Sequence, residues 1–489
     1  TKQVKQGTKF MEYEVVIGLE VHAQLSTNTK IFCGCSTKFG SEPNTQTCPI
    51  CLGMPGVLPV LNRSVVESAL TLGVATNSKI GSPNIFARKN YFYPDLPKGF
   101  QTSQFDKPIC ENGYLEIESD TGSKKINIIR IHMEEDAGKS VHDETYVHDD
   151  ETMIDLNRCG TPLVEIVSAP DLRSAKDAYN YLFKLRQLVR YLNICDGNME
   201  EGSLRCDANI SLRPKGETKL GTRTELKNMN SFRHVEKALE YEIARQKDLL
   251  EAGEKVEQET LLWDPDKNEA RPMRGKEESH DYRYFPEPDL VPVLISEEWL
   301  KNIEVSMPEL PDVKMNRFIK DYDLTDYDAR IICSSLEMAD YFENAAGKFK
   351  DYKMISNWMM GEISRVINED KIEIGELKVT PERLVDILNA IQHNTISSSA
   401  AKKVFAEAVT NSDDISVIIN TLGLKQVSDV SELENMIADV LKNNPEEVAL
   451  YKSGTTKVLG FLVGQVMKAS KGKANPGMVN QILKKNLSG

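Results

Sequence analysis

Residues 203–214 read SLRCDANISLRP. Leu204, Cys206, Ala208, Ile210 and Leu212 fall on one parity; Ser203, Arg205, Asp207, Asn209, Ser211 and Arg213 fall on the other. Side chains alternate faces along a strand, so this run predicts a strand with one apolar face and one highly polar face. A strand polar on one side suits an antiparallel or mixed sheet with an accessible face, not a parallel sheet covered on both sides.

Other segments repeat the pattern. EYEVVIGLEVHAQL (12–25) puts Tyr13, Val15, Ile17, Leu19 and Val21 on one side and Glu20, His22 and Gln24 on the other. TRTELKNMN (222–230) aligns Arg223, Glu225 and Lys227, and INIIRIHM runs into Glu134, Glu135 and Asp136. If these strands share a sheet, Glu20, Glu134 or Glu135, Asp207 and Glu225 could meet. Clustered carboxylates repel unless a cation neutralises them. Oxygen-rich sites with an occasional imidazole suit Mg²⁺ or Mn²⁺. Basic residues on the same faces would hold phosphates. ARKNYFYPDLPKG (87–99) adds Arg88 and Lys89 beside three aromatics. No P-loop, kinase-type or Rossmann glycine motif is present, so a nucleotide site here belongs to another class.

Between the strands, SAKDAYNYLFKLRQLVRYL (174–192) places Ala178, Leu182, Leu185, Val189 and Leu192 at helical spacing, and residues 234–253 do likewise. From about residue 300 the pattern is helical; TPERLVDIL (380–388) opens with a Thr cap and a first-turn Pro. The sequence predicts an α+β region followed by helices.

The 489 residues are 40% apolar and 27% charged, ordinary for globular protein. They contain no apolar run of membrane-spanning length and no secretory signal pattern, so a cytoplasmic protein without membrane contact is expected. Residues 1–10, before Met11, are left out of the fold reasoning. Nine cysteines in uneven spacing argue against a disulfide framework. Cys33, Cys35, Cys48 and Cys51 form C-x-C-x12-C-x2-C, the spacing of a closed structural zinc site. The net charge is −14, yet Tyr451–Gly489 holds seven lysines and no acid. A basic tail on an acidic body suggests phosphate contact.

IGLEVHAQL, PGVLPVLN, RKNYFYPDLPKG, RIHMEEDAGKS, DLNRCGTPLVEIVS, MEEGSLRCDANIS, ELKNMNSF, DYRYFPEPDL and KVLGFLVGQVMKASKGKANP occur in that order. From Met11 to the C-terminus the chain resembles the B-subunit family of the aspartyl/glutamyl-tRNA amidotransferases. The resemblance implies a glutamine-synthetase-like cradle over 11–298 with a mixed or antiparallel sheet and the zinc knuckle at 33–51. It further implies an all-α domain over 299–411 and a small helical YqeY-like tail over 412–489.

It implies a ligase that uses ATP and Mg²⁺ to phosphorylate the side-chain carboxylate of Glu on tRNA(Gln), or of Asp on tRNA(Asn). Ammonia from a separate amidase-family glutaminase subunit then forms the amide, and a small third subunit completes a heterotrimer. No amidase Ser-Ser-Lys signature occurs in these residues. Carried over by motif, His22, Glu135 and Glu225 are expected to hold Mg²⁺, with Glu20, Glu134 and Asp207 close by. Lys89 and Arg205 are expected to hold phosphate, with Arg88 and Asp207 beside the nucleotide. Asp155, Asn157 and Arg158 are candidates for the same pocket, and Arg283 and Phe285 for nucleotide or acceptor-end contact. Zinc on the four cysteines is expected to be scaffold. In the tail, Lys457, Lys468, Lys471, Lys473, Lys484 and Lys485 are candidates for tRNA phosphates. A non-catalytic tRNA scaffold and a stand-alone small-molecule ligase remain open as alternatives.

Overall fold

The alternating runs do form one sheet. A computed structural model describes residues 12–141, 151–273, 282–426, 430–470 and 474–488. The chain divides into two units, 1–310 and 311–489.

In the first unit β1 (Tyr13–Gln24) leads to α1 (Arg63–Ala75), then β2 (Lys79–Ile80), β3 (Ala87–Asn90) and β4 (Phe100–Ser103). Next come β5 (Cys110–Ser119), β6 (Gly122–Glu135), β7 (Lys139–Val141), β8 (Met153–Asp155) and β9 (Pro162–Ser168). After α2 (Ala175–Tyr191) follow β10 (Leu204–Pro214), β11 (Thr224–Met229) and α3 (Phe232–Glu251). β12 (Thr260–Asp264), β13 (Glu269–Pro272), β14 (Phe285–Pro286) and α4 (Glu297–Ser306) complete it.

Among the described residues nine strands make one sheet, in the order β13-β12-β11-β10-β1-β9-β6-β5-β2. All neighbours are antiparallel except β11 and β12, so the sheet is mixed. The strands β14-β3-β4 form a smaller sheet.

The odd-numbered residues Ile17, Leu19, Val21 and Ala23 of β1 are all fully buried. They join Ile131, Met133, Val164, Ile166, Ala208 and Ile210 in one core with apolar residues of α1, α2 and α3. The expected α2 stripe, Ala178, Leu182, Leu185, Val189 and Leu192, is buried throughout. Burial of each leucine contributes about 1.5–3 kcal/mol. Ser174 caps this helix by accepting from the Asp177 amide, as its position just before the periodic run dictates. With three helices packed on one face, the opposite polar face of β11-β10-β1-β9-β6 forms the floor of the cradle.

The chain leaves the first unit later than the expected 298/299 boundary. α4 packs against α1, and Ile303 belongs to the core of the first unit. Helical periodicity marks an apolar face but not the core on which it packs. The second unit contains two apolar cores. Phe318, Phe342, Ile355, Leu388, Val404 and Phe405 build the larger, and Ile415, Ile418 and Ile419 belong to it beyond the expected 411/412 boundary. Leu433, Ile437, Leu462, Val466, Val479 and Leu483 build the smaller. Thr380 accepts from the Arg383 amide at 3.4 Å, at the expected cap of Pro381–Gln392.

Candidate active site

Strand register decides which polar side chains meet. Across β6, β9 and β1, His132 is opposite Glu165 and Glu165 is opposite His22. On the other side of β1, His22 faces Arg205 and Glu20 faces Asp207, while Asn209 of β10 faces Glu225 of β11. Neighbouring strands lie about 4.7–4.9 Å apart, so these positions form rows within reach of one ligand.

The most concentrated row runs His22, Glu165, His132, Glu134. His22 Nε2 lies 3.3 Å from Glu165 Oε2, and His132 Nε2 lies 3.4 Å from the same oxygen. His132 Nε2 is also 3.1 Å from Glu134 Oε1. One ligand atom each of His22, Glu134 and Glu165 lies within 4.8 Å of the others. Gln101 Nε2 donates to Glu134 Oε2 at 2.9 Å, and the Ser103 hydroxyl donates to Oε1. Two carboxylate charges at this separation repel by roughly 3 kcal/mol or more at an effective dielectric of about 20. Positive charge between them, or a proton on one of them, relieves that.

The protonation tendencies register the same conflict. Burial pushes the Glu165 carboxyl up, but hydrogen bonds from His132 and His22 outweigh it and hold the group below its usual range. Glu134 is held down likewise, burial being overcome by His132. Burial pulls the His132 imidazolium down, yet its bonds to Glu134 and Glu165 lift it to about 9. Burial also opposes charge on His22, which Glu165 nevertheless raises. Both acids are thus held in the charged form that ligation of a cation requires. One imidazole and two carboxylates form a hard, oxygen-rich donor set that fits Mg²⁺ or Mn²⁺.

A second acidic group continues the floor. Glu20 accepts from Asn209 Nδ2 at 2.9 Å; burial, then Glu165, Glu225 and Asp207, push its carboxyl up. Lys227 Nζ bridges Glu225 at 3.2 Å and Asp207 at 3.4 Å. Lys89 lies 5.0 Å from the Tyr282 ring centroid; burial opposes its charge, and Glu134 heads the influences that raise it. Arg205 Nη2 donates to Asp136 Oδ2 at 2.7 Å, and its buried Nε has no partner among the described residues. Phe105 and Tyr284 stack at 4.1 Å between centroids.

The structure therefore brings together His22, Glu134, Glu20, Asp207, Glu225, Lys89 and Arg205 on or over one face. It does not bring Glu135 there. Alternation along β6 turns Glu135 away from His132 and Glu134, and it pairs with Lys98 Nζ and the Thr102 amide. Beside it is a cavity of about 310 Å³ whose walls include Phe32, Cys51, Val57 and Lys98. Arg88, one residue from Lys89, also turns that way; Glu287 holds it in two bonds of 2.7 Å, with Asp289 at 3.1 Å. Asp155 accepts from the Asn44 amide and Asn157 from the Gln46 amide, so both fasten the cysteine-bearing loop. Arg158 donates to the carbonyls of Ala137 and Gly138. Arg283 sits at φ 44° with its carbonyl bonded to Asn90, and Phe285 is exposed opposite Arg88 on β14. The tail lysines lie in the second unit; Lys471 and Lys473 fall outside the described residues.

The four cysteine sulfurs converge within 4.8 Å, with Cys48 and Cys51 sulfurs 3.9 Å apart. Sulfurs about 2.3 Å from a shared zinc stand about 3.8 Å apart, so the set fits a tetrahedral ion. A second observation points the same way. Lys30 is 0% exposed, and its Nζ donates to the Gln46 carbonyl at 2.7 Å and to Cys51 Sγ at 3.7 Å. Neither of these partners is a carboxylate. A buried ammonium needs a counter-charge, and thiolates supply one. The Cys51 thiol is pulled down to about 5 by the Cys33 thiol first, with Lys30 contributing.

Glu165 and His132 escaped the sequence reading. Glu165 is the lone acid in LVEIV, and His132 lies within a run otherwise read as buried strand. A single charge inside a buried strand is the signal that could have found Glu165; its pairing with His22 needs the β1-β9 register, which no local pattern encodes.

Comparison with known proteins bears on the whole chain. A family model of the "GatB/GatE catalytic domain" matches residues 15–301, and one of the "GatB domain" matches 340–487. A Chlorobium phaeobacteroides protein named as the B subunit of an aspartyl/glutamyl-tRNA(Asn/Gln) amidotransferase is 55% identical over 98% of this chain and 100% of its own length. Proteins of the same name from Geobacter sp. (strain M21) and Caldanaerobacter subterraneus are 56% and 54% identical, again over 98% of this chain and all of their own. With both models matched in sequence order and full-length relatives at this identity, the chain belongs to the family of aspartyl/glutamyl-tRNA amidotransferase B subunits.

Proposed function

We propose that the open face of the sheet activates a carboxylate carried by tRNA. This chain is the subunit of a tRNA-dependent amidotransferase that converts Glu on tRNA(Gln), or Asp on tRNA(Asn), to the amide. The observation that carries the site assignment is the convergence of His22, Glu134 and Glu165 from three adjacent strands.

The chemistry demands such a place. A carboxylate oxygen will not leave when ammonia attacks. Transfer of the ATP γ-phosphoryl to that oxygen makes an acyl phosphate and ADP; ammonia then adds to the carbonyl carbon, phosphate departs, and a proton is lost from nitrogen. Two anions must approach each other, so fixed positive charge is required. A divalent ion held by His22, Glu134 and Glu165 would screen them. Lys89 overhangs the acidic row, and Arg205 offers a buried Nε without a protein acceptor among the described residues, suited to a phosphate oxygen. Glu20, Asp207 and Glu225, gathered round Lys227, border the row and form its outer acidic wall. Glu135, on the other face with Lys98, acts outside the metal set.

Cys33, Cys35, Cys48 and Cys51 hold zinc as a structural ion. An amidase-family glutaminase subunit supplies ammonia, a small third subunit completes the heterotrimer, and tail lysines 457, 468, 471, 473, 484 and 485 contact tRNA phosphates. In the assembled enzyme, Glu165→Gln and Glu134→Gln should abolish ATP-dependent amidation of Glu-tRNA(Gln) while leaving tRNA binding intact. Full turnover in Glu165→Gln would refute the assignment.

A further inference from the structure

We propose that His132 is a positioning residue that holds the Glu134 and Glu165 carboxylates convergent. It rests on the metal reading above and goes one layer beneath it.

His132 is 2% exposed and stands between the two acids, 3.1 Å from Glu134 and 3.4 Å from Glu165, both measured at Nε2. Ionised carboxylates only accept, so Nε2 carries the proton and shares it between them. The other ring nitrogen, Nδ1, is buried without a partner among the described residues. The ring therefore spends its hydrogen-bonding capacity on this pair alone. The ring fills the seam between two repelling acids.

The register explains why only this position can do it. His132 lies directly across from Glu165 on β9 and two residues before Glu134 on its own strand. It reaches one acid across the sheet and the other along it. His22, across from Glu165 on the opposite side, has a side chain 21% exposed on the open face, whereas that of His132 is 3% exposed and lies between the two acids. His132 therefore acts through the carboxylates. Outer partners that orient ligating groups typically govern 10–100-fold in metal affinity or activity.

The test uses the assembled enzyme and titrates Mg²⁺ in the amidation assay, with Mn²⁺ binding measured separately by electron paramagnetic resonance. His132→Leu and His132→Met should raise the half-saturating metal concentration at least tenfold and weaken Mn²⁺ binding equally, with most of kcat recovered at high metal. His132→Gln, which keeps an N–H donor, should restore much of the affinity. A residue needed only for packing would lower stability without moving the metal requirement. Should Leu and Met leave Mn²⁺ binding unchanged while Glu134→Gln and Glu165→Gln weaken it, the proposal falls and the metal site stands. Unchanged Mn²⁺ binding in all four variants overturns the metal site and this proposal together.

Discussion

Replacing Lys30 by methionine tests the cysteine site through the difference in its effect with and without zinc. The ammonium is fully buried 3.7 Å from Cys51 Sγ. At that distance a full unit charge on sulfur would attract it by about 4.5 kcal/mol at an effective dielectric of about 20. A zinc ion with four thiolates carries a net charge of −2, about half a unit per sulfur, so the interaction is worth about 2.2 kcal/mol. Without it, zinc binding should weaken roughly 40-fold. The measurement is zinc retained by the full chain in its complex against graded concentrations of a chromogenic chelator, followed by thermal unfolding with and without chelator. With zinc bound, Lys30→Met should retain metal less tightly and melt lower. With zinc stripped, Cys51 alone keeps a counter-charge for the buried ammonium, so the same substitution should lower the melting temperature less than it does with zinc bound. Equal zinc retention by Lys30→Met and the parent would rule out this charge coupling, as would stabilisation of the untreated protein.

Further outcomes follow from other contacts. Asp136 is 5% exposed and accepts from Arg205 and Gln24 at 2.7 Å each, so Asp136→Asn should destabilise the first unit by about 3 kcal/mol in urea unfolding. The loss should be smaller when Arg205 is already methionine, since the charge left unpaired is then gone. Glu343 is pulled to about 2 by its bond from Arg317, with burial opposing and Lys314 helping. Its folded-state value lies below its unfolded one, so the benefit is present above about pH 4.5 and fades as pH falls toward 2. Because Glu343 is half-buried and its partner Arg317 is partly exposed, Glu343→Gln should cost about 1–2 kcal/mol at pH 7, and parent and variant should converge on acidification. Charge removal at Lys457, Lys468, Lys484 and Lys485 should weaken tRNA binding and flatten its salt dependence by about 0.7–0.9 in log–log slope for each phosphate no longer neutralised. An unchanged slope would place these lysines away from the nucleic acid.

Much of the fold was legible because its signals are local. Unbroken alternation in 203–214 and 12–25 marked two central strands and their polar faces, and the Thr380 cap marked a helix start. The cysteine spacing brought out the knuckle before any geometry. The site was legible only up to a parity. Glu134 and Glu135 are adjacent in sequence, and both suited a metal; which one turns to the open face depends on the β6-β9 register, which aligns Glu134 with Leu163 and His132 with Glu165. The same one-residue alternation separates Lys89 from Arg88. Glu165 and His132 lay hidden because a charge in an apolar strand acquires meaning only from its neighbours across the sheet. Limits between cores are hard to read for a related reason: helical periodicity marks an apolar face, but not the core that α4 or Ile415–Thr421 joins.

Anomalous diffraction from crystals of the assembled enzyme, soaked with Mn²⁺ and a non-hydrolysable ATP analogue, would locate the metal outright. A manganese peak is expected among His22 Nε2 and one oxygen each of Glu134 and Glu165, with Glu135 still on Lys98. A peak bound instead by Glu135, or no peak on the open face of β6-β9-β1, would show that these three residues do not form the metal site.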